Sequence, residues 1–149
     1  MRKVQTVRFG EIDVDEKTIV HFENGIPAFD EEHEFLIIPY DEESPYVFLQ
    51  SLTTPDLAFL MTVPFVFFPD YEFEINDDAM KELGIRQQDD LLIFVLLTLP
   101  GGRVQDMTAN LMAPVVVNKS NMRARQVVLD RSQYTTKHRL FPEEAAQEA

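Results

Sequence analysis

The sequence contains no cysteine, which excludes a disulfide framework, a thiolate metal site and a cysteine nucleophile. Five glycines in 149 residues leave little material for a phosphate cradle, and neither a G-x-x-x-x-G-K-[ST] nor a G-x-G-x-x-G pattern occurs. Long apolar runs are also missing. The longest, 91-LLIFVLLTL-99, is too short to span a bilayer and ends at Pro100, Gly101 and Gly102. The segment 1-MRKVQTVRFG-10 carries basic residues without an apolar core, so no secretory signal is expected. These absences point to a reducing, cytoplasmic setting with no membrane contact, and they make the Asn118-Lys119-Ser120 sequon a chance occurrence.

Positive charge is missing from a long stretch. Between Thr18 and Met80 there is no Lys or Arg, while acids recur from Glu23 to Asp78; the formal net charge is −13. The sign reverses from Lys119 to Arg139, where Asp130 is the one acid. An acidic face repels nucleic acid and anionic membranes and attracts basic partners, although acidic surfaces also serve solubility alone. Direct binding of nucleic acid is therefore not expected.

What is present is strand chemistry. Apolar and polar residues alternate, or apolar residues run, near Val4–Phe9, Ile12–Val14, Thr18–Phe22, Phe35–Tyr40, Tyr46–Leu52, Leu57–Val63, Tyr71–Ile75, Leu91–Leu99, Thr108–Val117 and Arg123–Leu129. Turn residues separate them, among them Asn24-Gly25, Ser44-Pro45, Pro69-Asp70 and Gly101-Gly102. One short helix is expected over 77-DDAMKEL-83, with Asn76 or Asp77 as N-cap and Gly84 closing it. The run 91–99 is read as a strand buried on both faces. Many short strands at regular spacing predict an all-β barrel or sandwich. A single domain over 1–141 is expected, followed by a flexible acidic tail, 142–149.

Catalytic signatures are sparse. His21, His33 and His138 stand in no metal-binding spacing. His33 lies among Asp30, Glu31, Glu32 and Glu34, a composition better suited to a solvated charge cluster than to a cation loop. No G-x-S-x-G is present, and 26 acids supply carboxylate pairs by chance. No enzyme and no cofactor are expected. Binding is the remaining class. In 64-PFVFFPDYEFEI-75 the rings alternate with Asp70, Glu72 and Glu74. Phe65, Phe67, Phe73 and Ile75 are read as core. Phe68 and Tyr71, flanking Pro69-Asp70, are read with Glu72 and Glu74 as a partner surface. Lys137 and His138 are further candidate contacts in the basic C-terminal stretch.

Several segments together resemble one family, the bacterial flagellar assembly factor FliW: 21-HFENGIPAFDEEHEFLI-37, 45-PYVFLQSLTTPDLAF-59, 67-FFPDYEFEI-75, 108-TANLMAPVVVN-118, 125-RQVVLD-130 and 134-YTTKHRL-140. They run in order over nearly the whole chain. Ala28 departs from the glycine common in the family after Ile-Pro, which predicts a turn without positive φ. Lys137 replaces a common Arg. The resemblance implies a compact, antiparallel, β-barrel-like regulator, monomeric and without catalysis. Such proteins bind flagellin and the RNA-binding translational repressor CsrA, and thereby relieve repression of flagellin mRNA. The alternatives at this point are a small-ligand-binding β-barrel and a carboxylate-dependent hydrolase. The family supplies no residue set to transfer, so the candidate contacts rest on chemistry alone.

Overall fold

The computed structural model describes residues 2–86, 91–129 and 133–141. Its strands are β1 (Arg2–Thr6), β2 (Gly10–Val14), β3 (Val20–Phe22), β4 (Glu34–Pro39), β5 (Tyr46–Ser51) and β6 (Ala58–Thr62), then β7 (Leu91–Thr98), β8 (Thr108–Ala109), β9 (Val115–Asn118), β10 (Arg123–Gln126) and β11 (His138–Arg139). One helix, α1, covers Asp77–Leu83. Strands β7, β6, β5, β4, β3, β10 and β9 follow one another, and β9 pairs back onto β7, so the sheet closes into a barrel. Strands β8 and β11 continue the ladder from the far end of β7, and β1–β2 form a separate hairpin. The pairings around the barrel are antiparallel except β3–β10, which is parallel. No helix among the described residues is long and apolar enough to cross a membrane.

The period-2 alternation of strands sorts the side chains. Val20 and Phe22, Phe35, Leu49, Met61, Phe94, Val115 and Val117, and Ala124 point inward and fill the barrel. Their neighbours point out, and on β7 and β9 these are apolar as well. Val95 and Leu97 meet a cluster with Tyr71, Met107 and Leu111. Ile93 and Val116 meet Ala79 and Leu83 of α1. The continuous hydrophobic run of β7 is thus a strand covered on both sides, as its composition predicts. What covers it is the connection from Val63 to Arg86 together with the C-terminal stretch.

Helix α1 has the ends its sequence specifies. The Asn76 side chain accepts from the Ala79 N–H at 2.8 Å. Gly84 closes the helix at φ 61°, with Gly84 N–H on the Lys81 carbonyl and Ile85 N–H on that of Met80, a Schellman arrangement. The Asn118 and Asn121 amides both donate to the Leu83 carbonyl, at 3.0 and 2.9 Å, and tie the helix end to the β9–β10 turn. Asn118 is fully buried, so the sequon is structural.

Three expectations need correction. Residues 71–75 keep their alternation of burial but belong to no ladder, because the chain lies across the outside of the barrel rather than beside a strand. The expected strand 108–117 is two strands, β8 and β9, separated by a turn in which the Asn110 side chain accepts from Ala113 N–H at 3.1 Å. Ala28 has φ 73° despite its Cβ. It is the third residue of a tight turn, Ile26 to Phe29, closed by Phe29 N–H on the Ile26 carbonyl at 2.6 Å. The turn geometry, with Pro27 before it, imposes positive φ whatever residue stands there. The 142–149 tail lies outside the described residues.

Candidate functional site

The segment after β6 turns sharply. Pro64 opens a 3-10 turn over Pro64–Val66, and Phe68 N–H and Phe67 N–H both bond the Pro64 carbonyl, at 2.8 and 3.1 Å. Tyr71 N–H returns to the Phe68 carbonyl at 3.0 Å. This double turn swings Pro69-Asp70 outward and drives the Tyr71 ring inward. The C-terminal stretch meets it there. Leu111 and Met112 donate their N–H groups to the Thr135 carbonyl, at 3.1 and 3.2 Å, which docks residues 133–138 beside the aromatic segment.

The result is an open cleft of about 330 Å³ lined by Phe67, Phe68, Pro69, Asp70, Tyr71, Leu111, Gln133, Tyr134 and His138. Tyr71 stacks edge-on with Tyr134 at 4.7 Å between centroids. Phe68 and His138 meet edge-on at 6.1 Å, and Tyr134 and His138 at 6.0 Å. The Tyr134 hydroxyl accepts from the Glu72 N–H at 3.1 Å, which fixes the acidic segment to the far wall.

Four of the residues singled out from the sequence, Phe68, Asp70, Tyr71 and His138, therefore line one cleft although about 70 residues separate them in the chain. Glu72 sits at its edge. Glu74 and Lys137 are exposed and do not line it. Tyr71 is not the surface ring it was read as. It is 5% exposed, and its hydroxyl donates to the Leu111 carbonyl at 2.7 Å. Conversely Phe65, read as core, is 43% exposed, with Val66 beside it at 59%. Tyr71 falls on the same alternation as Phe73 and Ile75, and reading it as a surface ring rested on its place beside Pro69-Asp70. The alternation itself fails at Phe65, where the 3-10 turn rotates each residue by about 120° rather than 180°. Tyr134, Gln133 and Leu111 were missed. Only long-range docking brings them here, and no local signal marks them.

Burial, with nearby Tyr134 as the second cause, raises the Tyr71 hydroxyl well above the usual phenol range. Burial lowers His138, and its Nε2 accepts the Thr135 N–H at 2.9 Å, so this nitrogen is occupied rather than poised as a base. No ion pair among the described residues involves Asp70, Glu72 or Glu74. No group of three His, Cys, Asp or Glu among the described residues is arranged to hold a metal ion. His33 instead places Nδ1 3.0 Å from the Phe22 carbonyl.

Comparison with known proteins agrees with this architecture. The profile described as FliW protein matches residues 3–140. The flagellar assembly factor FliW of Geobacillus sp. (strain WCH70) is 45% identical over 144 residues, covering 97% of this chain and 99% of that one. That of Heliobacterium modesticaldum is 44% identical over 147 residues, covering 99% and 95%, and that of Bacillus subtilis (strain 168) 44% over 135 residues, covering 91% and 94%. A crystal structure of the flagellar assembly factor FliW superposes with a TM-score of 0.89 at 41% identity, over 96% of this chain and 99% of the other. These relatives carry the name of an assembly factor and not of an enzyme. A profile match over nearly the whole chain, relatives of equal length and a shared barrel make this chain a member of the flagellar assembly factor FliW family.

Proposed function

We propose that this protein acts in the cytoplasm, without catalysis, by binding flagellin and a CsrA-type RNA-binding repressor, and that it relieves repression of flagellin mRNA. The observation that carries this reading is the shelf around Pro69-Asp70. Partly exposed rings (Phe65, Phe68, Tyr134 and His138) lie beside Asp70, Glu72 and Glu74, which have no cationic partner among the described residues. Apolar anchors next to unneutralised acids suit a partner that is both amphipathic and basic. Membership of an assembly-factor family supports a protein partner over a small molecule.

The two partners use different parts of this shelf in our reading. A terminal amphipathic helix of flagellin needs an apolar seat, and Phe65, Val66 and Phe68 offer the exposed apolar surface. An RNA-binding repressor carries a basic surface, and docking Asp70, Glu72 and Glu74 beside it lowers the potential that draws in phosphates. His138 lines the cleft, Lys137 is exposed next to it in the chain, and both are assigned to partner contact. A ligand-binding barrel is disfavoured because inward side chains occupy the barrel interior.

The test is co-elution on a sizing column of the purified protein with flagellin and with the repressor, separately and together. A complex with each partner supports the reading. Elution of this protein alone in both mixtures would contradict it.

A further inference from the structure

A second group of polar side chains lies away from the aromatic shelf. The parallel pairing of β3 with β10 places His21 and Arg123 opposite each other. Both are exposed, while their neighbours Phe22 and Ala124 point into the barrel. Residues opposite one another in register share a face of the sheet. His21 and Arg123 line one cleft. His33, next to the start of β4, lines the same cleft, of about 310 Å³, which α1 borders through Glu82 and Leu83.

The hydrogen bonds leave the cationic groups available and the nearest acid engaged. Arg123 donates to the Glu82 main-chain carbonyl at 3.3 Å, and no ion pair among the described residues involves it. The Glu82 carboxylate accepts from Arg125 at 2.7 Å and from the Asn24 amide at 2.7 Å, so both its oxygens are held. Glu34, opposite His21 on β4, is paired with Arg2 at 3.1 Å. Glu23 is the remaining acid in the lining. The His33 Nδ1 faces the Phe22 carbonyl at 3.0 Å. A carbonyl only accepts, so Nδ1 carries the proton and Nε2 is left free, an acceptor in the neutral ring and a donor in the charged one.

We propose that this cleft is a second binding site, which takes an oxyanion group, carboxylate or phosphate, through Arg123 with His21 and His33. Arg125 satisfies Glu82 from outside the lining, which leaves Arg123 set against Glu23 within a molecule whose net charge is −13. Local sign decides binding, because charges beyond about 10 Å are largely screened at ordinary salt.

Imidazole carbon–proton NMR signals test this on the full chain at pH 6, with inorganic phosphate and acetate as separate probes. His21 and His33 are expected to shift saturably with the probe that fits. Arg123→Gln, at an exposed position, is expected to remove the saturable response while the folded spectrum persists, and His21→Gln to weaken it. A tighter response to phosphate assigns a phosphate ligand, and a tighter response to acetate assigns the carboxylate of a partner; either supports the site. A linear response at pH 6, an unchanged response in Arg123→Gln, or equal movement of His138 would overturn it.

Discussion

The Tyr71 hydroxyl donates a 2.7 Å hydrogen bond to the main-chain carbonyl of Leu111, and this bond joins the aromatic segment to the turn between β8 and β9. Both residues are buried, so the carbonyl has no water to fall back on. Tyr71→Phe leaves it unpaired and is expected to cost about 1–3 kcal/mol. Tyr71→Ala also opens a cavity and is expected to cost about 3–5 kcal/mol, on the scale of other aromatic truncations. With no tryptophan in the chain, urea unfolding followed by far-UV circular dichroism is the appropriate measurement. A cost below about 0.5 kcal/mol for both variants, the range typical of surface changes, would mean that the ring does not hold the segment down.

Ala28 carries strain that glycine would relieve. At φ 73° its Cβ is in the left-handed region, which costs a non-glycine residue about 1 kcal/mol. Ala28→Gly is expected to stabilise the protein by up to about 1 kcal/mol, less the entropy that glycine adds to the unfolded chain. Thermal unfolding should show a rise in Tm of a few degrees, about 2–4 °C at this chain length. A fall in Tm would show that the turn relaxes around alanine and stores no strain.

Much of the barrel is legible in the sequence because its strands alternate. Phe35 with Ile37, and Leu49 with Val47, reveal which side faces in before any coordinates exist. Helix α1 is equally plain, since Asn76 and Gly84 mark both ends. The site is legible only in part. Phe68, Asp70 and His138 are visible as chemistry, but their meeting depends on the main-chain bonds from Leu111 and Met112 to Thr135. The exposure of Phe65 follows from a 3-10 turn that no alternation predicts, whereas Tyr71 is buried in phase with Phe73 and Ile75 and was misread from its place beside Pro69-Asp70. Ala28 misleads in another way, because the tight turn overrides the preference of the residue.

His138 makes docking of the 133–138 stretch sensitive to acid. Burial lowers it from the ordinary histidine range, and its Nε2 must be unprotonated to accept the Thr135 N–H. The unfolded chain therefore binds the proton more readily than the folded one. This contribution to stability is complete above the unfolded pKa, about 6.5, and is lost as the pH falls through the lower, folded value. Hydrogen exchange at Thr135 N–H is expected to lose protection as the pH is lowered across that window, and His138→Phe to remove the pH dependence. Protection that rises toward acid would reverse the assignment.

The claim that unneutralised acids on the aromatic shelf steer a basic repressor has one direct measurement. Binding of the CsrA-type repressor is compared at low and high salt for the natural protein and for the triple variant Asp70→Asn, Glu72→Gln, Glu74→Gln. All three side chains are exposed, so the fold is expected to survive, within about 0.5 kcal/mol per position. The account predicts affinity that falls with salt in the natural protein, and a weaker affinity with a flatter salt dependence in the variant. Equal affinity and equal salt dependence for the two proteins would contradict it.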